Sequence, residues 1–180
     1  MAESEPADNS VLTTLFAHNT WANLKLLDYC EALPAEHLEA TAPGTYCAIR
    51  DTLWHLVGSE VSYVQRVNGR LPDLPIKLKR GEFPGFDLTK QVARWTGDEL
   101  LQLALSARAD TLVQEQAPGY PTMAQYHLTH LIMQAINHST EHRTHVSTIL
   151  TQLGLEPPDM TGWGYMEATG DFQEVPIPEA

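Results

Sequence analysis

Apolar residues recur every three or four positions along four stretches of the chain, the spacing that builds the buried face of an amphipathic helix. In the first stretch these positions are Val11, Leu15, Ala22, Leu26, Tyr29 and Leu33. Runs of alternating apolar and polar residues between tight turns, which are typical of strands, are nearly absent. The pattern predicts four long helices: Val11 to about Leu33, Thr45 or Ala48 to about Val67, the residue after Asp87 to about Val113, and Thr122 to about Leu153.

Residues that cap or stop helices lie at the ends of these stretches. Pro34 ends the first helix, because proline cannot continue the backbone hydrogen-bond ladder, and Gly69 ends the second. Thr122 and Gln125 have the spacing of a capping box at the start of the fourth helix. Gly154 lies where a left-handed cap is expected at the end of that helix.

A segment rich in proline and glycine, Leu71 to Phe86, separates the second and third helices. We interpret it as an ordered crossover loop, because a loop of this length inside a domain is often functional. Four long helices with one long crossover predict an all-α fold, a four-helix bundle. We expect a single domain over residues 1–180, with frayed ends at about 1–9 and 173–180. The tail from Asp159 to Ala180 is expected to pack along the bundle before it frays.

Composition narrows the function classes. The chain has 180 residues, of which 43% are hydrophobic and 19% charged, and a formal net charge of -12. Such an acidic chain is poorly suited to bind nucleic acid or an anionic membrane surface, since both require clustered lysine and arginine. Met1 to Asn9 has neither a basic nor an apolar signal-peptide region, and no apolar run approaches the roughly 18 residues of a membrane helix. Cys30 and Cys47 do not form a CxxC pair, so we expect a reducing, cytoplasmic setting and assign no role to either thiol.

Histidines are concentrated on the fourth predicted helix, which carries five of the eight in the chain: His127, His130, His138, His142 and His145. His138 and His142 lie one turn apart, a spacing that lets two imidazoles bind one metal ion. His142 and His145 also lie at ligand spacing, so spacing alone does not decide which pair binds. His127 shares the stripe but lies roughly 16 Å along the axis from His138.

A metal site needs a further ligand, because a catalytic zinc ion usually has three protein ligands and an open position. His55 on the second predicted helix is the obvious donor. It lies off the apolar stripe, in a strip of small polar residues that suits either a pocket lining or a solvated face. Surface histidines without a role are the competing interpretation, which we apply to His18 and His37. His127 and His130 are expected to be structural or exposed.

Glu60 lies at the centre of the apolar face of the second predicted helix. We predict a buried or half-buried acid that is satisfied by hydrogen bonds, in preference to an acid that orients a metal-ligating histidine. Glu141 and Arg143 flank His142 but point to other faces of the helix. They are expected to be solvated or to lie at a helix–helix contact.

Three segments carry a family resemblance: Phe16–Asn23, Ile49–Leu56 and Asn137–Arg143. The last has the pattern Asn-His-x-x-x-His-Arg, which is the specific part. On these segments the chain resembles the DinB/YfiT-like superfamily of four-helix metalloproteins over nearly all of its length. The chain departs from the family pattern in two places: Thr144 and His145 stand where relatives often have Gly-Gln, and Gln134 stands where they often have histidine.

The resemblance implies that three histidines bind a divalent metal ion, and by motif these are His55, His138 and His142. It implies zinc or nickel first, with iron, copper or manganese as further candidates, because this donor set suits several metals. His145 remains as an alternative ligand, a group behind the ligands or a candidate general base; no other catalytic residue is identified. A homodimer is also implied.

The resemblance further implies an activity, since several relatives are transferases or isomerases that use a low-molecular-weight thiol. The leading hypothesis is a metal-dependent enzyme that transfers such a thiol, as co-substrate, onto a small electrophilic substrate. One alternative is a hydrolase that uses metal-bound water. Another is a non-catalytic, stress-associated binding or dimer module in which the metal is structural or absent.

Overall fold

The computed structural model describes residues 10–75, 82–116 and 121–175. The chain folds mainly into helices, which confirms the all-α class, and the described part adds one small hairpin. The elements are α1 (Ser10–Glu31), α2 (Ala35–Leu38), α3 (Ile49–Asn68), α4 (Phe86–Ser106), β1 (Leu112–Glu115), β2 (Ala124–His127), α5 (Leu128–Gln152) and α6 (Gly162–Thr169). The long helices α1, α3, α4 and α5 correspond to the four predicted ones. No helix in these ranges combines the length and apolar content that crossing a membrane requires.

The ends of three long helices agree closely with the pattern. Gly69 and Gly154 both adopt left-handed backbone, with φ of 71° and 75°, at the ends of α3 and α5. Glycine reaches this conformation without the steric cost of a Cβ atom, which is why the two helices stop there. The first helix ends at Glu31, three residues before Pro34.

The predicted boundary between the third and fourth helices is wrong. The third helix was expected to reach Val113, but α4 ends at Ser106 and Val113 lies in β1. Thr122 does not cap the fourth helix: it precedes β2, and α5 begins only at Leu128. The two strands pair antiparallel, and the backbone N–H of Leu128 donates to the carbonyl of Thr111 at 2.8 Å. Pairing therefore satisfies backbone groups that a longer helix would have satisfied, and Val113 is buried against the bundle.

The C-terminal tail packs against α1, as predicted, through the short helix α6. Nε2 of His18 lies 2.9 Å from the carbonyl oxygen of Met160, and the ring of Tyr165 lies 5.3 Å from that of Trp21. The interpretation of His18 as a surface histidine without a role is therefore wrong. The frayed ends predicted at 1–9 and 173–180 lie outside the described residues except for 173–175, which are exposed.

Gly97 lies in the middle of α4, although glycine has a low helix propensity. It is buried against Thr20 of α1, and a Cβ atom at this position would overlap the Thr20 hydroxyl. The glycine therefore allows α1 and α4 to approach closely.

Apolar side chains form two separate clusters along the bundle. Leu26, Val57, Val92 and Val146 are members of the first, and Phe16, Val64, Leu100 and Ala135 are members of the second. On each of the four long helices, buried polar residues lie between the members of the two clusters. These residues are Asn19, Asn23, Glu60, Thr96, Ser139 and Arg143. A polar layer thus divides the core.

Glu60 is the centre of this layer and is fully buried. Its Oε1 accepts hydrogen bonds from the side-chain amides of Asn19 and Asn23 at 2.9 Å and from the hydroxyl of Ser139 at 2.8 Å. Its Oε2 accepts from the Thr96 hydroxyl at 2.7 Å. The prediction of a buried, hydrogen-bonded acid is confirmed, and one carboxylate joins all four long helices.

Arg143 supplies the opposite charge. One guanidinium nitrogen donates to the amide oxygens of Asn19 and Asn23 at 2.8 Å and 2.6 Å, so the two asparagines bridge Arg143 and Glu60. Burial lowers the pKa of Arg143 to about 10, and the charge of Glu60 acts against this shift. Arg143 therefore lies at a helix–helix contact, one of the two predicted alternatives, whereas Glu141 is exposed.

We expect Glu60→Gln to lower the free energy of unfolding by about 3 kcal/mol, because it leaves the buried Arg143 charge without its counter-charge. Urea denaturation measures this. The matched control is Glu99→Gln: Glu99 is also nearly buried, but its partner Arg70 is largely exposed, at 61%. The control is expected to cost much less. Equal losses in the two variants would contradict the special role of the polar layer.

Candidate metal centre

Three histidines converge beside the polar layer. His55 comes from α3, and His138 and His142 come from successive turns of α5. Nε2 of His138 lies 3.3 Å from Nε2 of His55 and 3.1 Å from Nε2 of His142. One ligand atom from each residue can be chosen so that all three atoms lie within 4.8 Å of one another. The structure thus brings together the three residues that the motif selected.

The spacing of these nitrogens fits a metal ion. Zinc–nitrogen bonds of about 2.0–2.1 Å in a tetrahedral site place ligand nitrogens roughly 3.3 Å apart. Both separations from Nε2 of His138 are close to this value. The donors are three imidazoles, a borderline set that zinc and several transition metals accept.

Burial keeps two of the imidazoles neutral. The pKa of His142 is lowered to about 3, first by burial and then by the neighbouring His138, His55 and His145. The pKa of His138 is lowered to about 4 by burial and by His55, and Glu141 opposes this shift. Both rings therefore carry an available lone pair at neutral pH, which is the form that binds a metal ion.

Two tyrosines pack against the histidine rings, and the sequence analysis missed both as part of the site. Tyr46 precedes α3 and stacks on His55 with ring centroids 4.1 Å apart and planes inclined by 18°. The same ring meets His142 edge-on at 5.1 Å. Buried Tyr63 meets His138 edge-on at 5.9 Å. Packing of this kind restricts rotation of the imidazole rings. The sequence signal that could have indicated Tyr46 is an aromatic residue just before the helix that carries His55.

Tyr63 also explains one departure from the family pattern. Burial raises the pKa of Tyr63, and a hydrogen bond with the side chain of Gln134, which stands where relatives often have histidine, acts against this shift. Gln134 therefore contacts Tyr63, whose ring packs against His138. It does not belong to the group of three histidines.

The other histidines lie apart from the centre, with one exception. His127 and His130 are exposed on the hairpin and the first turn of α5, as expected, and His37 lies half-buried in α2. His145 is the exception: its Nδ1 lies 3.3 Å from Nδ1 of His142, on the far side of that ring from the converging Nε2 atoms.

The two cysteines are free, which agrees with the absence of a predicted disulfide. Cys30 is buried in the first apolar cluster, and burial raises the pKa of its thiol to about 12. Cys47 is exposed.

Acidification is expected to destabilise the metal-free protein between about pH 6.5 and pH 3. An unfolded histidine takes up a proton near pH 6.5, whereas folded His138 and His142 do so only near pH 4 and 3. The unfolded state therefore binds more protons in this interval, so the free energy of unfolding falls as the pH falls. Urea titrations at several pH values measure the slope.

A double variant with His138→Gln and His142→Gln, which cannot titrate at these positions, is expected to show a shallower fall than the parent. His130→Gln is the control, because His130 is exposed on the same helix; its slope should match the parent's. The same slope in parent and double variant would show that the two histidines titrate normally.

A comparison with protein families agrees with this helical fold. The sequence profile of the DinB family matches residues 6–179, nearly the whole chain. A comparison with curated proteins finds no match. The matched region contains every helix of the described residues and all three converging histidines. The chain belongs to the DinB family.

Proposed function

We propose that the protein binds one divalent metal ion through His55, His138 and His142 and is an enzyme that transfers a low-molecular-weight thiol onto an electrophile. The observation that carries the proposal is the convergence of three imidazole Nε2 atoms from two helices. Membership of the DinB family and the resemblance of the Asn137–Arg143 segment support it. The thiol itself is inferred from that resemblance.

A bound cation accounts for the arrangement of the histidines better than their mutual contacts do. Nε2 of His138 faces two other imidazole nitrogens at 3.1 Å and 3.3 Å, and a single ring nitrogen can donate only one proton. Because a ring nitrogen has either one proton or one lone pair in the ring plane, at most one of these two contacts can be a well-aligned hydrogen bond. A divalent ion between the rings lets each nitrogen present its lone pair favourably.

The donor set determines the chemistry that the metal would supply. Three neutral imidazoles leave the full charge of a divalent ion in place, and such an ion acts as a Lewis acid that favours the thiolate over the thiol or polarises a substrate oxygen. The chain's own contribution is to hold the three nitrogens: His142 is only 5% exposed, and His55 and His138 are half-buried. Tyr46 and Tyr63 restrict the rings.

The overall reaction is a substitution at the electrophile. A thiol R–SH and a substrate R′–X give the thioether R–S–R′ and H–X. One S–H bond and one C–X bond break, and one C–S bond and one H–X bond form. The leaving group departs with its bonding pair, and no oxidant or reductant is required.

We expect about one metal ion per chain in protein that is produced without a histidine tag, measured by plasma mass spectrometry. His55→Ala and His138→Ala should each lose the metal, because each removes one of three donors. His130→Ala is the matched control and should retain it, since this exposed histidine lies on the same helix away from the centre. If the parent binds no metal even after incubation with zinc or nickel, the site does not exist.

The metal-loaded protein is expected to accelerate conjugation of at least one of bacillithiol, mycothiol and glutathione to an electrophile. His55→Ala should abolish this activity and His130→Ala should preserve it, with product formation followed by mass spectrometry. Turnover without any thiol would replace the transferase with a hydrolase. If no thiol is conjugated and histidine substitution changes only the melting temperature, the protein is a non-catalytic binding or dimer module.

A further inference from the structure

His145 contacts the centre without belonging to it. It follows His142 by three residues on α5 and is half-buried. Its Nδ1 lies 3.3 Å from Nδ1 of His142, within hydrogen-bonding distance. The opposite nitrogen of His142, Nε2, is the one that faces His138.

The chemistry of imidazole assigns a direction to this contact. A neutral imidazole carries one proton, on either Nδ1 or Nε2. A ring that gives the lone pair of Nε2 to a metal ion must carry its proton on Nδ1, so Nδ1 of His142 becomes a donor. Nδ1 of His145 must then accept, which places the proton of His145 on its own Nε2.

His138, on the same helix, differs from His142 in the partner of its Nδ1 atom. Its Nδ1 is buried and has no hydrogen-bond partner within the described part of the chain. Its ring is restrained by packing against Tyr63 instead. Metal-ligating histidines usually donate their second nitrogen to an acceptor that fixes the tautomer, and loss of such an acceptor typically weakens metal binding 10–100-fold.

We propose that His145 is a positioning residue: it accepts the Nδ1–H of His142 and thereby selects the tautomer that leaves Nε2 of His142 free for the metal ion. The inference rests on the proposed metal centre. His145 is neither a fourth ligand nor a general base in this role.

Zinc affinity, measured by competition with a chromophoric chelator, tests the proposal. His145→Ala is expected to bind zinc about 10–100-fold more weakly than the parent. His145→Asn should bind within about threefold of the parent, because the amide oxygen of asparagine stands near the position of Nδ1 and can accept the same proton. His130→Ala, which removes an exposed histidine from the same helix, should match the parent.

The metal-free variants should melt at the same temperature as the metal-free parent. A role confined to packing would instead lower the melting temperature, whether or not the new side chain can accept a hydrogen bond. Recovery of zinc affinity in His145→Asn distinguishes a positioning role from a packing role, because a purely structural role would not depend on an acceptor oxygen. If alanine and asparagine weaken zinc binding equally, or neither does, the proposal is overturned.

Long-range proton–nitrogen NMR of the zinc-loaded parent provides a test that needs no variant. We expect His142 to be protonated on Nδ1, and His145 to be protonated on Nε2 with an unprotonated, metal-free Nδ1. A His145 ring that is protonated on Nδ1, or that binds zinc itself, would overturn the assignment. Zinc loss in His138→Ala with full binding in His145→Ala would refute the role of His145 alone, whereas a parent that binds no zinc would refute the metal centre and this role together.

Discussion

The buried carboxylate of Glu60 constrains the rest of the bundle. Four side chains from three other helices donate to it, two amides from α1 and one hydroxyl each from α4 and α5. A charge in this position is tolerated only when its acceptor capacity is filled, because burial of an unpaired charge is very costly. These hydrogen bonds therefore fix the rotation of each long helix about its own axis at the height of Glu60. The two apolar clusters pack on either side of this polar layer.

The arrangement of the three histidines follows from this constraint, because the polar layer and the histidine cluster share the helix α5. Ser139 and Arg143 point into the polar layer, and each follows a site histidine directly in sequence. Successive residues of a helix point about 100° apart, so a helix fixed by Ser139 and Arg143 must present His138 and His142 to the adjacent groove. His55 of α3 reaches that groove from the other side. The precision of the site thus comes from hydrogen bonds that do not involve it.

The sequence predicts the long helices well, since periodicity and helix-stopping glycines are local signals. Helical spacing alone left open which pair of histidines on the fourth helix binds, and the family motif selected His138 and His142 together with His55. Prediction from the sequence fails where tertiary contacts decide. The hairpin forms in place of the predicted helix because Val113 is buried in the core and the two strands form backbone hydrogen bonds with each other. The sequence did not predict the packing of Tyr46 on His142 or the bridge from Arg143 through Asn19 and Asn23. Both contacts join residues that are distant in sequence, and no local pattern indicates them.

The proposed chemistry depends on what surrounds the donors as much as on the donors themselves. A centre built with carboxylate ligands would neutralise part of the metal's charge, whereas three imidazoles neutralise none of it. The surroundings compensate only in part: the charge of exposed Glu141 acts on His138, whereas buried Glu60 already accepts from four donors and is bridged to Arg143 through two amides. A divalent ion here would therefore attract an anionic ligand into a site walled by tyrosine rings. A thiolate, being both anionic and polarizable, suits that environment better than a strongly hydrated oxyanion does, and for this reason we favour thiol transfer over hydrolysis.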